Sequence, residues 1–361
     1  MLNRTQTVQI DGHASTPSAV ISGVPQGTIL GPVLFLIYIA DIGDNIKTST
    51  LASYADDSKI HKIIKTLQDG LNLQLDVNTL YEWTKTNLME FNSTKFEILK
   101  IGDNHDLKQT QYVTPEGNII EETELAKDLG VHFNQKGDFS DHIKVKKAKA
   151  KQMSGYILRT FLTRKIDPLM LLFKSLVLPI IDYSCVVWNP HKQQDISMLE
   201  SVQRYFTSKL EGMEDRDYYN RLKILNVYSC ERRRDRYLLL YIFKIIHGKV
   251  PNPGLSYKWS SRRGKVLSVP PVLSSKPSRA STLLHHSFTR RAPRLFNCLP
   301  QSLRNLPDNI PKESLKRRVD DFLKNITDEP RIPGYYPTTS SCSNRLEDQI
   351  LALECHHMDH Q

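Results

Sequence analysis

The sequence predicts an α+β protein, on three observations. Short runs of β-forming residues separated by turn signals fill the first part of the chain. From Phe139 onward the apolar residues take helical spacing instead. The charge changes with them: residues 1–140 hold 11 Lys/Arg and 18 Asp/Glu, net −7, whereas residues 141–361 hold 38 and 21, net +17. The two parts therefore meet different partners, and 361 residues suffice for two or three domains with cores.

Residues 7–10 and 18–21 read as short strands around the turn signal Asp11-Gly12-His13-Ala14. Gly23-Val24-Pro25-Gln26-Gly27 then breaks the strand, and its glycines let a backbone pass close to a ligand. A helix is expected over residues 31–46, with Pro32 in its first turn, packing Leu34, Ile37, Tyr38 and Ile42 beneath the sheet. Ser49 to Tyr54 and Ser58 to His61 are the arms of a tight hairpin with Asp56 and Asp57 at its tip. Residues 66–88 form a helix on the apolar positions Leu67, Leu71, Leu75, Leu80 and Trp83. Residues 95–101 alternate as a half-buried strand, and Val131-His132-Phe133 extends the sheet. His132 has no Cys or His partner nearby in sequence and reads as structural or surface.

Asp138-Phe139-Ser140-Asp141 is a helix start, followed by the basic stripe Lys144, Lys146, Lys147, Lys149 and Lys151. Further helices are expected over 168–183, 197–210 and 232–247. Trp188, in an apolar run, reads as core rather than as a base-stacking residue. Residues 249–281 read as a basic, Pro/Ser-rich connector, 282–328 as a basic carboxy-terminal segment, and 329–361 as a disordered tail. Between Arg236 and Pro307 stand thirteen Lys/Arg, among them Arg262, Arg263, Arg290 and Arg291, and no acid. Binding to a phosphate backbone and a basic linker without a fixed partner both fit that composition.

Two adjacent like charges are held most readily by a divalent cation, and magnesium takes carboxylates together with substrate phosphates. An Asp-Asp pair is equally at home in an ordinary polar turn. What separates these readings is context. Ser22 to Phe35, containing Ser22-Gly23-Val24-Pro25-Gln26-Gly27, followed by Tyr54-Ala55-Asp56-Asp57, resembles the palm of reverse transcriptases. Leu80-Tyr81-Glu82-Trp83, Asn87-Leu88 and Asn92 to Leu99 resemble the next block, and Asp128-Leu129-Gly130-Val131 the primer grip. Together these resemble reverse transcriptases of non-LTR retrotransposons of the jockey and CR1 kind, over residues 4–326.

The resemblance implies a partial palm over residues 1–138 and a helical thumb-like or connection region over 139–248. It implies two-metal nucleotidyl transfer copying RNA into DNA, with Asp56 and Asp57 as catalytic magnesium ligands, manganese being the substitute. Gly23, Pro25, Gln26, Gly27, Tyr54 and Lys95 would lie near the template or nucleotide, although Lys95 also fits an exposed strand-end lysine. The partners implied are an RNA template, a DNA primer or single-stranded nucleic acid, and deoxynucleoside triphosphates if the chain is active. The family's Phe-x-Asp block, which carries a third metal-binding aspartate ahead of the Gly-rich loop, does not occur here, nor do the fingers and endonuclease. The expectation is a truncated enzyme with weak magnesium binding and no activity alone; the alternative is a non-catalytic nucleic-acid-binding relic.

No apolar run approaches the roughly twenty residues that span a bilayer, the longest being residues 29–40 with Gly31 and Pro32 inside. No signal-peptide layout opens the chain, and the five cysteines, Cys185, Cys230, Cys298, Cys342 and Cys355, suit reduced thiols, so an intracellular protein in nucleus or cytoplasm is expected. Cys342, Cys355, His356, His357 and His360 match no zinc-ligand spacing.

Overall fold

A computed structural model describes residues 4–21, 23–24, 27–92, 95–102, 104–260, 264–271, 278–333 and 344–351. The chain divides into two compact units, Met1–Thr123 and Glu124–Gln361. The boundary precedes the expected one at residue 138, because the primer-grip-like hairpin packs with the helices that follow it. Among the described residues no helix is long and apolar enough to cross a membrane.

In the first unit the strands pair only two by two, so the single antiparallel sheet expected under the helices does not form among the described residues. Arg4–Gln6 pairs antiparallel with Ser18–Val20, and Gln9–Ile10 with His13–Ala14 through Asp11 and Gly12, both at positive φ. Thr50–Tyr54 pairs with Asp57–His61. The expected strand over 95–101 shrinks to Glu97–Ile98, which pairs parallel with Glu121–Glu122. A small core of Val77, Tyr81, Tyr112 and Ile120 collects Ile60, Phe91, Phe96 and Ile98 around it.

Two helices depart from their expected faces. The first spans Leu30–Tyr38 rather than 31–46, and with no sheet above it, Leu36, Ile37 and Tyr38 are exposed. The second, Leu67–Thr86, falls within the expected 66–88 and starts on a capping box in which Thr66 and Asp69 satisfy each other's backbone amides. It buries Val77, Leu80, Tyr81 and Trp83 but leaves Leu67, Leu71 and Leu75 in solvent. Its inner face is set by the short core beneath its second half, which the spacing of leucines alone did not mark.

The second unit is helical. Leu125–Asp128 and Val131–Asn134 form a hairpin of their own and extend no sheet. Ser140–Thr160 follows, then Ile166–Leu172 and Leu178–Asp182 joined by the wide turn Phe173–Val177. That widening has a cause in Pro179, which has no N–H for an ordinary helical bond and crowds the preceding turn. Gln193–Thr207 and Cys230–Ile246 complete a bundle whose core includes Ile143, Ile157, Phe173, Ile181, Trp188, Leu199 and Phe206. Trp188 is fully buried, as expected, and its indole N–H donates to the Tyr183 carbonyl at 2.8 Å.

The described residues of the basic connector and of the tail include ordered elements that their composition did not imply. Tyr257–Ser260 and Gly264–Leu267 form a hairpin, and its flanking Leu255 and its own Leu267 enter a second core with Leu295, Phe296, Leu315, Val319 and Leu323. Leu346 and Ile350 of the expected disordered tail are buried in that same core. Asn344 fastens this segment: its side chain accepts from the Glu329 amide at 2.7 Å and donates to Glu231 and Asp328. Cys342, Cys355, His356, His357 and His360 lie outside the described residues.

Candidate catalytic hairpin and nucleic-acid interface

Asp56 and Asp57 sit at the tip of the hairpin, where the register pairs Tyr54 with Asp57 and leaves Ala55 and Asp56 as a two-residue turn. Ala55 takes φ +53, a left-handed conformation that costs a non-glycine residue about 1 kcal/mol or more. The turn throws both carboxylates and Tyr54 into solvent. Behind the tip, the pair Leu51 and Ile60 is half-buried and Ser58 Oγ donates to Ser53 Oγ at 2.8 Å.

The hairpin's base is fastened by a residue the sequence reading passed over. Buried Asp76 accepts from the amides of Lys47 and Thr48, at 3.2 and 3.1 Å, and from the Thr48 hydroxyl at 2.6 Å. Burial pushes its carboxyl up, but these hydrogen bonds outweigh it and hold the carboxyl below its ordinary value. An aspartate in the middle of an otherwise apolar helix face is the signal that marks it.

Of the Gly-rich loop, Gly23 and Gly27 adopt φ +82 and +76, open space surrounds both Cα positions, and an Arg4 guanidinium N–H donates to the Gly23 carbonyl at 2.6 Å. Pro25 and Gln26 lie outside the described residues. Lys95 is exposed, one residue before the Phe96 that packs on the small core. Loop, hairpin and Lys95 stand on separate elements with no shared sheet.

As a metal site, the hairpin offers two exposed carboxylates, and no cluster of three or more His, Cys, Asp or Glu occurs among the described residues. Two such ligands suit a magnesium ion that keeps water and takes phosphate oxygens, but they do not make a closed cage.

The basic helix Ser140–Thr160 does not present its lysines as one stripe. Its inward face, running through Ile143, Ala150, Ser154 and Ile157, puts Lys144, Lys147 and Lys151 on one flank and Lys146 and Lys149 on the other. Lys144 is already paired with Asp141 at 2.9 Å. Lys146 and Lys149 converge with Lys127 of the neighbouring hairpin. Burial, then Lys149 and Lys127, holds the Lys146 ammonium below its ordinary pKa, and burial together with all three lysines does the same to His132. His142, whose Nδ1 accepts the His132 amide, is pulled down to about 4 by burial, Lys146 and His132. Burial and neighbouring cations shift all three groups, so the cluster is a cationic spot.

Tyr183 builds this spot. Its ring lies under Lys146 Nζ at 5.2 Å, and its hydroxyl donates to the Leu129 carbonyl at 3.0 Å. Leu129 and Gly130 both take positive φ, +44 and +80, the geometry of a tight two-residue hairpin turn between Asp128 and Val131. The φ of +80 favours glycine at position 130, and a Cβ there would also press on the Tyr183 ring at 3.3 Å. Lys127, His132 and Tyr183 were not among the expected binding residues. The Leu-Gly turn between strand-formers was the available signal.

Two expected nucleic-acid contacts are corrected. Arg290 is buried, and Arg291 makes an ion pair with buried Asp235 inside the carboxy-terminal core, so neither faces a ligand. Aromatic and leucine neighbours draw the Phe288–Asn297 helix inward, and its arginines become internal braces. Arg262 and Arg263 lie outside the described residues.

Comparison with known proteins places these features. Residues 1–133 match the family model "Reverse transcriptase (RNA-dependent DNA polymerase)". The chain is 24% identical over 242 residues to the RNA-directed DNA polymerase from mobile element jockey of Drosophila melanogaster, covering 61% of this chain and 26% of that protein. It is 25% identical over 259 residues to the probable RNA-directed DNA polymerase from transposon BS of the same organism, covering 66% and 28%. The corresponding protein from transposon X-element is 25% identical over 224 residues, covering 58% and 24%. The chain thus spans about a quarter of the length of the curated relatives it matches. No solved structure matches it.

Proposed function

We propose that the chain is part of an RNA-directed DNA polymerase, on the premise that residues 1–133 match the reverse-transcriptase family model and that the chain is similar to the polymerases of mobile elements. The observation that carries the reading is the Tyr54-Ala55-Asp56-Asp57 hairpin, with two carboxylates presented side by side on a strained turn. In this reading Asp56 and Asp57 hold the magnesium ions that stabilise charge on the attacking 3′ oxygen and the leaving phosphate. The substrates are deoxynucleoside triphosphates and a primer on an RNA template. Gly23 and Gly27 allow close backbone approach, and Lys127, Lys146 and Lys149 hold phosphates beside the turn that Tyr183 clamps.

Two carboxylates bind magnesium weakly, because the cation is slow to give up water without a fuller ligand set. The polypeptide of these 361 residues therefore binds a primer on RNA without extending it. Ferrous iron with added hydrogen peroxide, in place of magnesium, tests the site directly, since iron(II) held at Asp56 and Asp57 reduces the peroxide to hydroxide and a hydroxyl radical that cuts nearby nucleic acid. Cleavage clustered at the primer 3′ end and lost in Asp57→Asn supports the reading; scattered or Asp57-independent cleavage rejects it. Extension product that vanishes in Asp56→Ala would show a further carboxylate completing the site, Asp11 being the first to suspect. The second reading, a binding protein without chemistry, is favoured by the exposed apolar face of Leu30–Tyr38, which has no sheet to cover it.

A further inference from the structure

We propose that the Tyr257–Ser260 and Gly264–Leu267 hairpin is a stacking platform for single-stranded nucleic acid, with Trp259 and Tyr257 as its base-stacking side chains. It stands apart from the polymerase reading and holds whether or not the chain extends a primer.

Strand alternation puts Tyr257 and Trp259 on one face, opposite Leu267 and Lys265 of the partner strand. Along that face the environment runs from core to solvent: Leu267 is buried, while Tyr257 and Trp259 are 51% and 62% exposed. The other two tryptophans, Trp83 and Trp188, are buried, so Trp259 is the chain's one indole left in water. Aromatic side chains two apart on a strand stand about 6.8 Å from each other, room for a base on or between them.

The hairpin is mounted rigidly. Along the outer edge of Gly264–Leu267, Asn297 accepts the Leu267 amide and donates to the Leu267 carbonyl, both at 2.8 Å. Asn305 accepts the Lys265 amide at 3.0 Å, and Arg304 donates to the Lys265 carbonyl at 2.8 Å. Gly264, at φ +68, lies so close to Asn305 that a Cβ would clash. With this edge occupied by side chains, strand addition by a peptide is blocked there, and what the hairpin offers is its aromatic face.

Charge selects the occupant. No acid occurs between Arg236 and Pro307, and Lys258, on the strand that carries both rings but projecting from its other face, is exposed. Lys265 is already paired with Asp308 at 2.7 Å and is assigned no phosphate. Exposed rings on a segment of one-sided positive charge suit bases on a phosphate backbone, which stack without regard to sequence.

The test is titration of the intact 361-residue chain with a uridine oligonucleotide, followed by tryptophan emission and by binding. Trp259→Phe identifies the Trp259 contribution to the emission. The expected results are quenching of that contribution, about ten-fold weaker binding by Trp259→Ala, and near-complete recovery in Trp259→Phe. Equal binding by wild type and Trp259→Ala, or Trp259 emission unmoved at saturation, overturns the proposal. Because the readout is confined to this hairpin, its failure leaves the iron-cleavage test of Asp56 and Asp57 untouched.

Discussion

Asp76 Oδ2 accepts both the amide N–H and the hydroxyl of Thr48, at 3.1 and 2.6 Å, and so ties the root of the aspartate hairpin to the middle of the Leu67–Thr86 helix. A buried carboxylate with three donors is a stronger tether than the hairpin's own exposed ladder. Hydrogen bonds to a charged group contribute about 1.5–3 kcal/mol each, so Asp76→Ala should destabilise the first unit by roughly 2 kcal/mol or more. Hydrogen exchange over residues 48–61 is the measurement, and protection there should fall about thirty-fold while the second unit is unchanged. Because the folded pKa lies below the ordinary value, this contribution is present above about pH 4 and fades as pH drops through the folded value.

The cationic spot makes a salt-dependence prediction. If Lys127, Lys146 and Lys149 each neutralise a phosphate, replacing all three with alanine should reduce the slope of log affinity against log salt by about 2 for a single strand. Replacing Lys144 and Lys151 on the opposite flank should leave most of that slope intact. Titration against labelled RNA at three salt concentrations reads both. Equal slopes for the two variants would remove the spot as the phosphate contact.

What could be read from the sequence followed from how local each signal was. The Asp56-Asp57 hairpin was legible because its register and turn are fixed by neighbours within a dozen residues. The Leu67–Thr86 helix was legible from the spacing of Leu67, Leu71, Leu75, Leu80 and Trp83, but its buried face was not, since Leu67, Leu71 and Leu75 look as apolar as the residues that do find a core. The cationic spot required knowing that Lys127, Lys146 and Tyr183, far apart in sequence, meet around one glycine turn. Arg290 and Arg291 misled for the converse reason: a basic run reads as surface, and only the folded chain reveals Asp235 waiting beneath it.

Asp182 connects that turn to the bundle core. Its carboxylate pairs with Arg233 Nε at 2.7 Å, with both side chains nearly buried, and the Arg233 guanidinium also donates to Gln203. Burial disfavours the charged arginine, but Asp182 more than offsets it and raises its pKa. Removing one partner leaves the other charge buried and unpaired, so Asp182→Asn should cost about 3–5 kcal/mol in chemical denaturation. Since Tyr183 is the next residue, the same variant should weaken RNA binding by the Lys127 spot even where it remains folded. Full-strength binding by folded Asp182→Asn would separate the pair from the turn.

Glu200 carries the pH signature of the helical unit. It is fully buried, and its carboxyl accepts the Tyr218 hydroxyl and the Cys230 amide, the latter at 3.0 Å. Burial pushes it up to about 7; the Tyr218 and Cys230 hydrogen bonds and Arg234 pull back, whereas Asp328 adds to the rise. Between pH 4.5 and about 7 the folded form therefore holds a proton that the unfolded chain has lost. Stability from this group is present at pH 5 and declines by about 1.4 kcal/mol per pH unit across the window. The histidines held below their ordinary pKa, His132, His142, His191 and His286 among them, act with the opposite sign in the same range. Thermal unfolding of the wild type alone therefore mixes the two, and the informative quantity is its difference from Glu200→Gln. The glutamine cannot ionise, so the melting temperature of the variant relative to wild type should rise from pH 5 to about pH 7 and level off above it. A difference that stays flat across that range would mean that Glu200 remains charged in the folded chain and that Tyr218, Cys230 and Arg234 outweigh its burial.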